Sequence, residues 1–152
     1  MIKKIDITNH KLAEEVFNIQ ILSYKVEAEI IGFHDIPPLR DTVESLQQCG
    51  ETFYGYYSNG WLCGVVSIKT DKCVIDIHRL MVHPNHFRKG IAKKLLNFVE
   101  GNKEKFKTII VSTGTKNEPA VAFYLKNGFS KTGEERVTER LSLTSFKKEI
   151  LC

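Results

Sequence analysis

The sequence predicts an α/β fold in which seven strands and four helices follow the order β-α-α-β-β-β-α-β-α-β-β. Three observations support this prediction. Alternating and helical spacings of apolar residues follow one another along the chain. An Asn59-Gly60 pair between two β-rich runs indicates a hairpin, and an apolar run ends at Pro84, just before a basic turn and an amphipathic helix. This order is typical of a mixed sheet with helices packed on it.

The N-terminal part of the chain predicts one strand and two helices. The segment IKKIDIT, residues 2–8, has the loose apolar alternation of a strand. Asn9 is placed to cap a helix whose apolar residues recur at helical spacing as far as about Ile31. A second helix is predicted in LRDTVESLQQ, with either Asp41 or Thr42 as its cap.

The remaining elements follow the hairpin. The segment CVIDIHRLMVHP predicts an apolar strand, and the next helix has a stripe formed by Ile91, Leu95, Phe98 and Val99. KTIIVST predicts a short buried strand. NEPAVAFYLKNGF predicts a short helix with Pro119 in its first turn and Gly128 just beyond its end. The C-terminal segment predicts two strands around a polar turn.

Length and composition limit the architecture and the compartment. The 152 residues, of which 42% are hydrophobic and 26% charged, are enough for one core, so we expect a single domain over residues 1–152. No apolar run reaches the ~18 positions that a membrane span needs. The N-terminus also lacks the apolar stretch of a signal peptide. We therefore expect a cytoplasmic protein that does not bind membranes.

Cysteine spacing and charge exclude further classes. The four cysteines are Cys49, Cys63, Cys73 and Cys152. They form no CxxC pair, which favours free thiols in a reducing compartment. His83 and His86 have no third ligand near them, so we expect no metal. The net charge of +4 is mild and its basic residues are scattered except between Arg88 and Lys94, which favours a local anionic ligand over a nucleic-acid surface.

The turn between the central strand and its helix is the predicted anion site. A strand followed by a short turn and a helix presents free backbone N–H groups and the positive end of a helix dipole. The small residues Gly90 and Ala92 let a ligand approach the backbone. The chain contains neither GxxxxGK[ST] nor GxGxxG, so a P-loop or a dinucleotide-binding domain has no support. A diphosphate fits the turn.

Two segments carry a resemblance to a known family. LMVHPNHFRKGIAKKLL resembles motif A of the GCN5-related N-acetyltransferase (GNAT) family, with Gly90 and Ala92 at its two small positions. NEPAVAFYLKNGF is similar to the second signature of that family. The matching residues there are Asn117, Ala120, Phe123, Tyr124, Lys126, Gly128 and Phe129. The likeness spans roughly residues 74–129, and the element order of the remaining chain agrees with it.

The resemblance implies a GNAT-like acyl-CoA N-acyltransferase fold with a mostly antiparallel sheet, and acetyl-CoA as the acyl donor. The implied cofactor-binding residues are Leu80, Met81, Val82, Phe87, Arg88, Lys89, Gly90, Ile91, Ala92, Lys93, Asn117, Ala120, Phe123 and Tyr124. One position departs from the family pattern. Phe87 stands where Gln or Arg is usual, and Arg88 is displaced by one. A missing charge-assisted hydrogen bond weakens binding by about 1.5 to 3 kcal/mol, but the backbone donors do not depend on it.

Acetyl transfer to an amine needs an uncharged nucleophile, donors for the oxyanion and a proton for the departing thiolate. The resemblance implies that Tyr124 supplies the proton; the alternative is that it only packs beside Phe123. It also implies an oxyanion donor in the backbone near Met81 or Val82. The same strand is bulged and splayed in the family, so that pantetheine pairs with its edge. Asn117 is placed to cap its helix, and its amide is also expected to reach the cofactor.

Candidates for the general base lie on the central strand. Asp76 and His78 are two apart and share a face if no bulge intervenes, and either side chain has the chemistry to deprotonate an ammonium through water. The alternatives are that one of them faces solvent or pairs with Arg79, or that no dedicated base exists. Acetylation of Cys63 or Cys73 is disfavoured, since neither has a histidine neighbour in sequence.

The acceptor is the least determined part of the prediction. By resemblance, residues 31–40 and 134–140 form the walls of its pocket, where His34, Asp35 and Asp41 either surround a polar or cationic acceptor or belong to an ordinary capping loop. We expect a small-molecule or peptide amine. Two other functions stay open, a CoA-binding module without turnover and an unrelated phosphate-binding domain. Whether the chain forms a homodimer also stays open.

Overall fold

The computed structural model describes residues 1–101 and 105–150, and the predicted order of elements is confirmed. The helices are α1 (His10–Ile31), α2 (Val43–Gln48), α3 (Ile91–Glu100) and α4 (Glu118–Lys126). The strands are β1 (Ile2–Ile5), β2 (Thr52–Ser58), β3 (Trp61–Asp71), β4 (Val74–Val82), β5 (Thr108–Gly114), β6 (Ser130–Thr138) and β7 (Leu141–Glu149). Short 3₁₀ turns occupy Pro37–Arg40 and Pro84–His86. Cys152 lies outside the described residues.

The strands form one open, mixed sheet in the order β1-β2-β3-β4-β5-β7-β6. Every neighbouring pair is antiparallel except β4 and β5, which run parallel. The parallel pair needs a crossover connection, and α3 supplies it. The predicted mixed and mostly antiparallel sheet is therefore confirmed, with its one parallel junction in the middle.

Local signals set most element boundaries. The Asn9 side chain accepts a hydrogen bond from the N–H of Leu12 at 3.1 Å, and Thr42, rather than Asp41, caps α2. Asn59 and Gly60 both have positive φ, at 52° and 81°, as a two-residue hairpin of type I′ requires. The predicted caps and hairpin follow from interactions within a few residues, so they do not depend on the rest of the fold.

Helices cover both faces of the sheet. One core lies under α3 and α4 and the other under α1 and α2. The buried side of α3 consists of Ile91, Leu95, Leu96 and Val99. Of the predicted stripe, Phe98 is not buried: it is 38% exposed, and its ring lies 4.9 Å from the ring of Tyr54 on β2. Within the described residues, no helix combines the length and apolar character of a bilayer span.

A bulge in β4 changes which side chains face α1. Ser67 pairs with Arg79 and Ile68 pairs with Ile77, so His78 is the extra residue. A single inserted residue directs the side chains that follow it in the strand to the opposite face of the sheet. Arg79 consequently points toward α1 and contacts Gln20, whereas an unbulged strand would direct it into the core under α3.

The junction of β4 and β5 opens after the bulge. The two strands pair only from Val74 with Thr108 to Ile77 with Val111. Beyond this point β5 continues to pair with β7 as far as Gly114. The edge of β4 that faces β5 therefore has no strand partner among the described residues after Ile77.

Strand β6, the last in the sheet order, is exposed to solvent along its whole length. Every residue of β6 is exposed, and the strand pairs with β7 alone. Its register with β7 shifts twice, between Lys131 and Gly133 and again between Arg136 and Thr138. The outer edge of the sheet is therefore irregular and surrounded by solvent.

Candidate functional site

The turn after β4 has backbone conformations that suit an anion. Arg88 has φ of 63° and Gly90 has φ of 75°. Left-handed residues in a turn orient successive N–H groups toward the same side. The positive φ also explains why glycine stands at position 90, since another residue there is strained. Phe87, at the unusual position, is 40% exposed and makes only a backbone hydrogen bond to Pro84.

The start of α3 has free donors and nearby positive charge. Gly90 is the N-cap of α3, and no side chain caps the helix. The first helical hydrogen bond runs from the N–H of Lys94 to the carbonyl of Gly90, at 3.1 Å. Gly64 positions this end of the helix, because a Cβ there would lie 2.8 Å from Cγ2 of Ile91. The exposed side chains of Arg88, Lys89 and Lys93 surround the turn. Together these groups can hold a diphosphate.

The opening between β4 and β5 leads into a cavity of about 240 Å³. It is lined by Tyr24, Glu27, Ile31, Ile36, Pro37, Pro38, Ile77, His78, Arg79, Leu80, Val111, Ser112, Thr113, Gly114, Asn117, Ala120, Tyr124, Leu141 and Leu143. The lining therefore comes from α1, β4, β5, α4 and β7, together with the loop that follows α1. Of the residues implied by the resemblance, the structure brings Leu80, Asn117, Ala120 and Tyr124 to this cavity. Met81 and Val82 are buried behind it.

Tyr124 lies against the cavity on α4 and is 5% exposed. Its ring packs against Phe123, Phe129 and Phe146, with centroids 5.3 to 5.6 Å apart. Burial, together with the negative charge of Glu27, raises the pKa of the phenol well above its ordinary value. The hydroxyl makes no hydrogen bond to another residue in the described part of the chain. Tyr124 is thus a protonated, unengaged donor whose ring is held in place by three aromatic neighbours.

Asn117 joins the start of α4 to α1. Its side-chain oxygen accepts a hydrogen bond from the N–H of Ala120 at 3.4 Å, which is the expected cap. The same side chain also interacts with Glu27 of α1 and favours its ionised carboxylate, which lowers the pKa of that group. The implied contact of Asn117 with the cofactor stays a prediction.

The predicted base candidates do contact each other. Nε2 of His78 lies 3.3 Å from Oδ2 of Asp76, and Nδ1 lies 3.5 Å from Oε2 of Glu51. The bulge at His78 intervenes, yet the two side chains still lie on one face. His78 lines the cavity and Asp76 does not. Neither residue pairs with Arg79.

Arg79 is the centre of a buried polar network that sequence reasoning missed. Its Nη1 donates to Oε1 of Gln20 and Oδ2 of Asp41, both at 3.0 Å, and its Nε donates to Oε1 of Glu51 at 3.1 Å. Ser67 donates to the same Glu51 oxygen at 2.6 Å. The network ties α1, the loop before α2 and the start of β2 to the middle of β4. It therefore fixes the walls of the cavity.

Glu27 and Tyr24 were also missed. Both lie on α1 one turn apart and line the cavity beside Tyr124. Burial raises the pKa of Glu27, and the nearby Asn117 side chain opposes the rise. Burial raises the pKa of Tyr24 too, with the charge of Glu27 adding to it. The only sequence signal was a glutamate close to the buried side of a helix, four residues before Ile31.

The polar residues expected near the acceptor are engaged elsewhere. Asp35 pairs with Arg40 at 2.8 Å, His34 lies 3.7 Å from Glu29, and Asp41 belongs to the Arg79 network. None of the three lines the cavity. The alternative of an ordinary loop is favoured for His34 and Asp35.

The histidines of the turn serve local structure. Nδ1 of His83 accepts from the N–H of Asn85 at 3.1 Å, and Nε2 of His86 lies 3.6 Å from Sγ of Cys63. Cys63 is fully buried and is not among the residues that line the cavity. In residues 1–101 and 105–150, no three His, Cys, Asp or Glu side chains are grouped as a metal site.

Known proteins share this architecture. The model of a family described as acetyltransferase (GNAT) domain matches residues 21–150. The UPF0157 protein YqkA of Bacillus subtilis (strain 168) is 41% identical over 145 residues, which are 93% of this chain. The chain spans only 42% of the length of that relative.

Solved structures show the same fold at low identity. The ribosomal-protein-S18-alanine N-acetyltransferase of Escherichia coli superposes with a TM-score of 0.81 at 15% identity, covering 100% of this chain and 94% of the other. The PaiA N-acetyltransferase of Thermoplasma acidophilum, in complex with coenzyme A, gives a TM-score of 0.68 at 21% identity, covering 98% of each chain.

Proposed function

This chain belongs to the GNAT family of acetyltransferase domains, and from that premise we propose that it transfers an acetyl group from acetyl-CoA to a primary amine by direct attack in a ternary complex. One observation carries the proposal. The unpaired edge of β4 runs from the anion-binding turn to a cavity that contains the protonated phenol of Tyr124. A cofactor whose diphosphate lies at α3 and whose pantetheine pairs with β4 would bring its thioester to that phenol. The proposed location is cytoplasmic.

The residues divide into three proposed roles. Gly90 to Lys93 hold the diphosphate through backbone donors, with Arg88 and Lys89 adding charge. The backbone near Met81 and Val82 supplies the oxyanion donor. Tyr124 protonates the departing thiolate. Its raised pKa keeps the phenol protonated at physiological pH, and it also makes the phenol a weaker acid.

Thermal unfolding tests the donor. Acetyl-CoA at about 100 times its Kd adds ~2.7 kcal/mol of stability, which raises Tm by about 5 to 10 °C for a chain of this size. We expect this shift with acetyl-CoA and with CoA but not with ATP at equal concentration. Reductant keeps the thiols from forming disulfides with CoA. No shift at millimolar acetyl-CoA, or an equal shift with ATP, would overturn the proposed donor.

A matched pair of glycine variants tests the turn. Gly90 and Gly60 have φ of 75° and 81°, and a Cβ at either position would meet no protein atom within 4 Å. Replacing either by alanine costs about 1 to 2 kcal/mol of stability through the left-handed backbone alone. Only Gly90→Ala is expected to weaken the binding of acetyl-CoA as well, by about tenfold in Kd, or about 1.4 kcal/mol. Titration calorimetry measures the affinity of each variant for acetyl-CoA, and equal affinities in the two variants would remove the turn from the site.

One observation favours a second function, a CoA-binding module without turnover. Phe87 leaves the turn without the side-chain donor that is usual in the family, and its ring is partly exposed. Such a module would bind CoA and acetyl-CoA alike and release no thiol in the presence of any amine. Thiol release by the wild type therefore separates the two functions.

A further inference from the structure

Glu27 brings an unpaired negative charge to the cavity. Its Oε1 lies 3.9 Å from the point that a Cβ on Gly114 would occupy, so the carboxylate stands at the open end of β5. The side chain of Asn117 also lowers the pKa of this carboxyl, which favours its ionised form. In the described part of the chain, no lysine, arginine or histidine forms an ion pair with it. Glu27 is half-buried. A carboxylate held partly out of water without a cation is costly, and such groups are typical of binding and catalytic sites.

The groups around Glu27 do not neutralise it. Tyr24 faces it from α1, and Tyr124 and Asn117 face it from α4. On β4, Arg79 and His78 line the same cavity. Arg79 is occupied by Asp41 and Glu51, and His78 lies between Asp76 and Glu51. A ligand ammonium would supply the positive charge that these described residues do not give to Glu27.

The other side of the cavity is apolar. Ile31, Ile36, Pro37, Pro38, Leu141 and Leu143 form this wall. A volume of about 240 Å³ lies below the about 300 to 1,000 Å³ of sites for drug-sized ligands. A ligand with one ammonium group and a compact apolar tail matches both the charge and the size.

Arg140 stands at the rim of this wall. Its Nη2 lies 3.4 Å from the carbonyl oxygen of Gly32, and its guanidinium lies 5.5 Å from the ring centre of Phe33. Gly32 and Arg140 directly neighbour the lining residues Ile31 and Leu141. A second positive charge at the far end of the ligand would meet this arginine. The rim therefore disfavours diamines and polyamines.

We propose that Glu27 binds the ammonium group of the acceptor and takes its proton, and that the acceptor is a small primary monoamine with an apolar or aromatic tail. This inference rests on the proposed function and names the acceptor class of the same site. It assigns the base to α1, whereas the sequence directed attention to Asp76 and His78.

The proton and electron balance is complete with the groups present. Glu27 takes one proton from the ammonium, and the freed lone pair of nitrogen forms a bond to the thioester carbonyl carbon. The C–S bond then breaks, and the thiolate keeps the bonding pair and takes the proton of Tyr124. The phenolate recovers a proton from the nitrogen, which becomes the amide, and Glu27 releases its proton to water. One acetyl-CoA and one ammonium yield one amide, one CoA thiol and one proton.

Two charge-removing variants on the same helix provide the activity test. Glu27→Gln removes the proposed base, and Glu29→Gln removes an exposed carboxylate, 77% accessible, two residues away. The probes are 2-phenylethylamine, 3-methylbutylamine, putrescine and spermidine, with thiol release measured from about pH 7 to pH 10. We expect wild-type kcat/KM to be at least about tenfold higher for the two monoamines. Glu27→Gln should lower it about 100-fold at neutral pH, and Glu29→Gln should leave it unchanged.

The pH profile distinguishes a base from a structural residue. The free amine needs no base, so the deficit of Glu27→Gln should shrink as the pH approaches the pKa of the amine. A deficit that is constant with pH, unchanged activity in Glu27→Gln at neutral pH, or a preference for spermidine would each overturn the inference. A normal Tm shift with acetyl-CoA alongside such a result leaves the proposed donor standing; the lack of any acetyl-CoA shift defeats the proposed function itself.

Stability gives a readout that does not depend on turnover. Because burial raises the pKa of Glu27 in the folded chain, ionisation above the ordinary glutamate range favours the unfolded state. Glu27→Gln should therefore raise Tm near pH 8, and the gain should be lost as the pH falls below the ordinary glutamate pKa of about 4.3, where both states become protonated. Equal Tm values for wild type and variant near pH 8 would mean that the charge is not buried unpaired, which would overturn the inference.

Discussion

Replacing Tyr124 by phenylalanine is expected to lower kcat by about 10²- to 10⁴-fold, the usual contribution of a positioned general acid. The phenol makes no hydrogen bond to another described residue, and its ring is held by Phe123, Phe129 and Phe146. Removal of the hydroxyl should therefore leave the fold and the affinity for acetyl-CoA intact. Thiol release at saturating substrate measures kcat, and the Tm shift with acetyl-CoA verifies binding.

The control for this variant is Tyr54→Phe, which removes a phenol oxygen from the same core at a distance from the cavity. Its kcat should equal that of the wild type. The pKa of Tyr124 is raised by burial and by the charge of Glu27, so the acid stays protonated as pH rises. Wild-type kcat should consequently show no falling limb up to about pH 10. Equal kcat for Tyr124→Phe and wild type at every pH would remove the proton-donor role.

Replacing Arg79 by methionine is expected to cost about 3 to 5 kcal/mol of unfolding free energy, the usual result of breaking a buried ion pair from one side. The Arg79 side chain is 13% exposed and that of Glu51 only 6%. Without the guanidinium, Glu51 and Asp41 face each other across the loop before α2 with no cation between them. Urea unfolding measures the loss, and the midpoint should fall with little change in slope.

Arg40→Met is the matched comparison for that network. Arg40 pairs with Asp35 at 2.8 Å, but the two side chains are 59% and 66% exposed. A surface pair is worth about 0 to 1 kcal/mol, since water screens both charges. A loss below about 1 kcal/mol in Arg79→Met would mean that the network adds nothing beyond a surface pair.

The parts of the fold that sequence reasoning predicted are those that depend on near neighbours. Asn9 caps α1 through a residue three positions away, and Asn59-Gly60 turns a hairpin within two residues. The turn before α3 is similar, because Gly90 and the start of α3 lie within one segment. Such features are set by backbone geometry, which a short stretch of sequence reveals.

The parts that were missed depend on distant segments. Glu27 meets Asn117 only because α1 and α4 end at the same opening, ninety positions apart in sequence. Arg79 faces α1 only because His78 is bulged. No periodicity marks a one-residue bulge, so the sequence placed neither the network nor the carboxylate.

The exposed strand β6 has a consequence for how chains behave when crowded together. A free strand edge is a template for pairing with another chain, and long, flat, apolar edges lead to aggregates. In β6, Lys131, Glu134, Glu135 and Arg136 project charge along the edge. The two register shifts also prevent a regular ladder from continuing outward. The outer edge of the sheet at β6 thus disfavours sheet-to-sheet association, and the open edge proposed to pair with pantetheine lies in the interior of the sheet at β4.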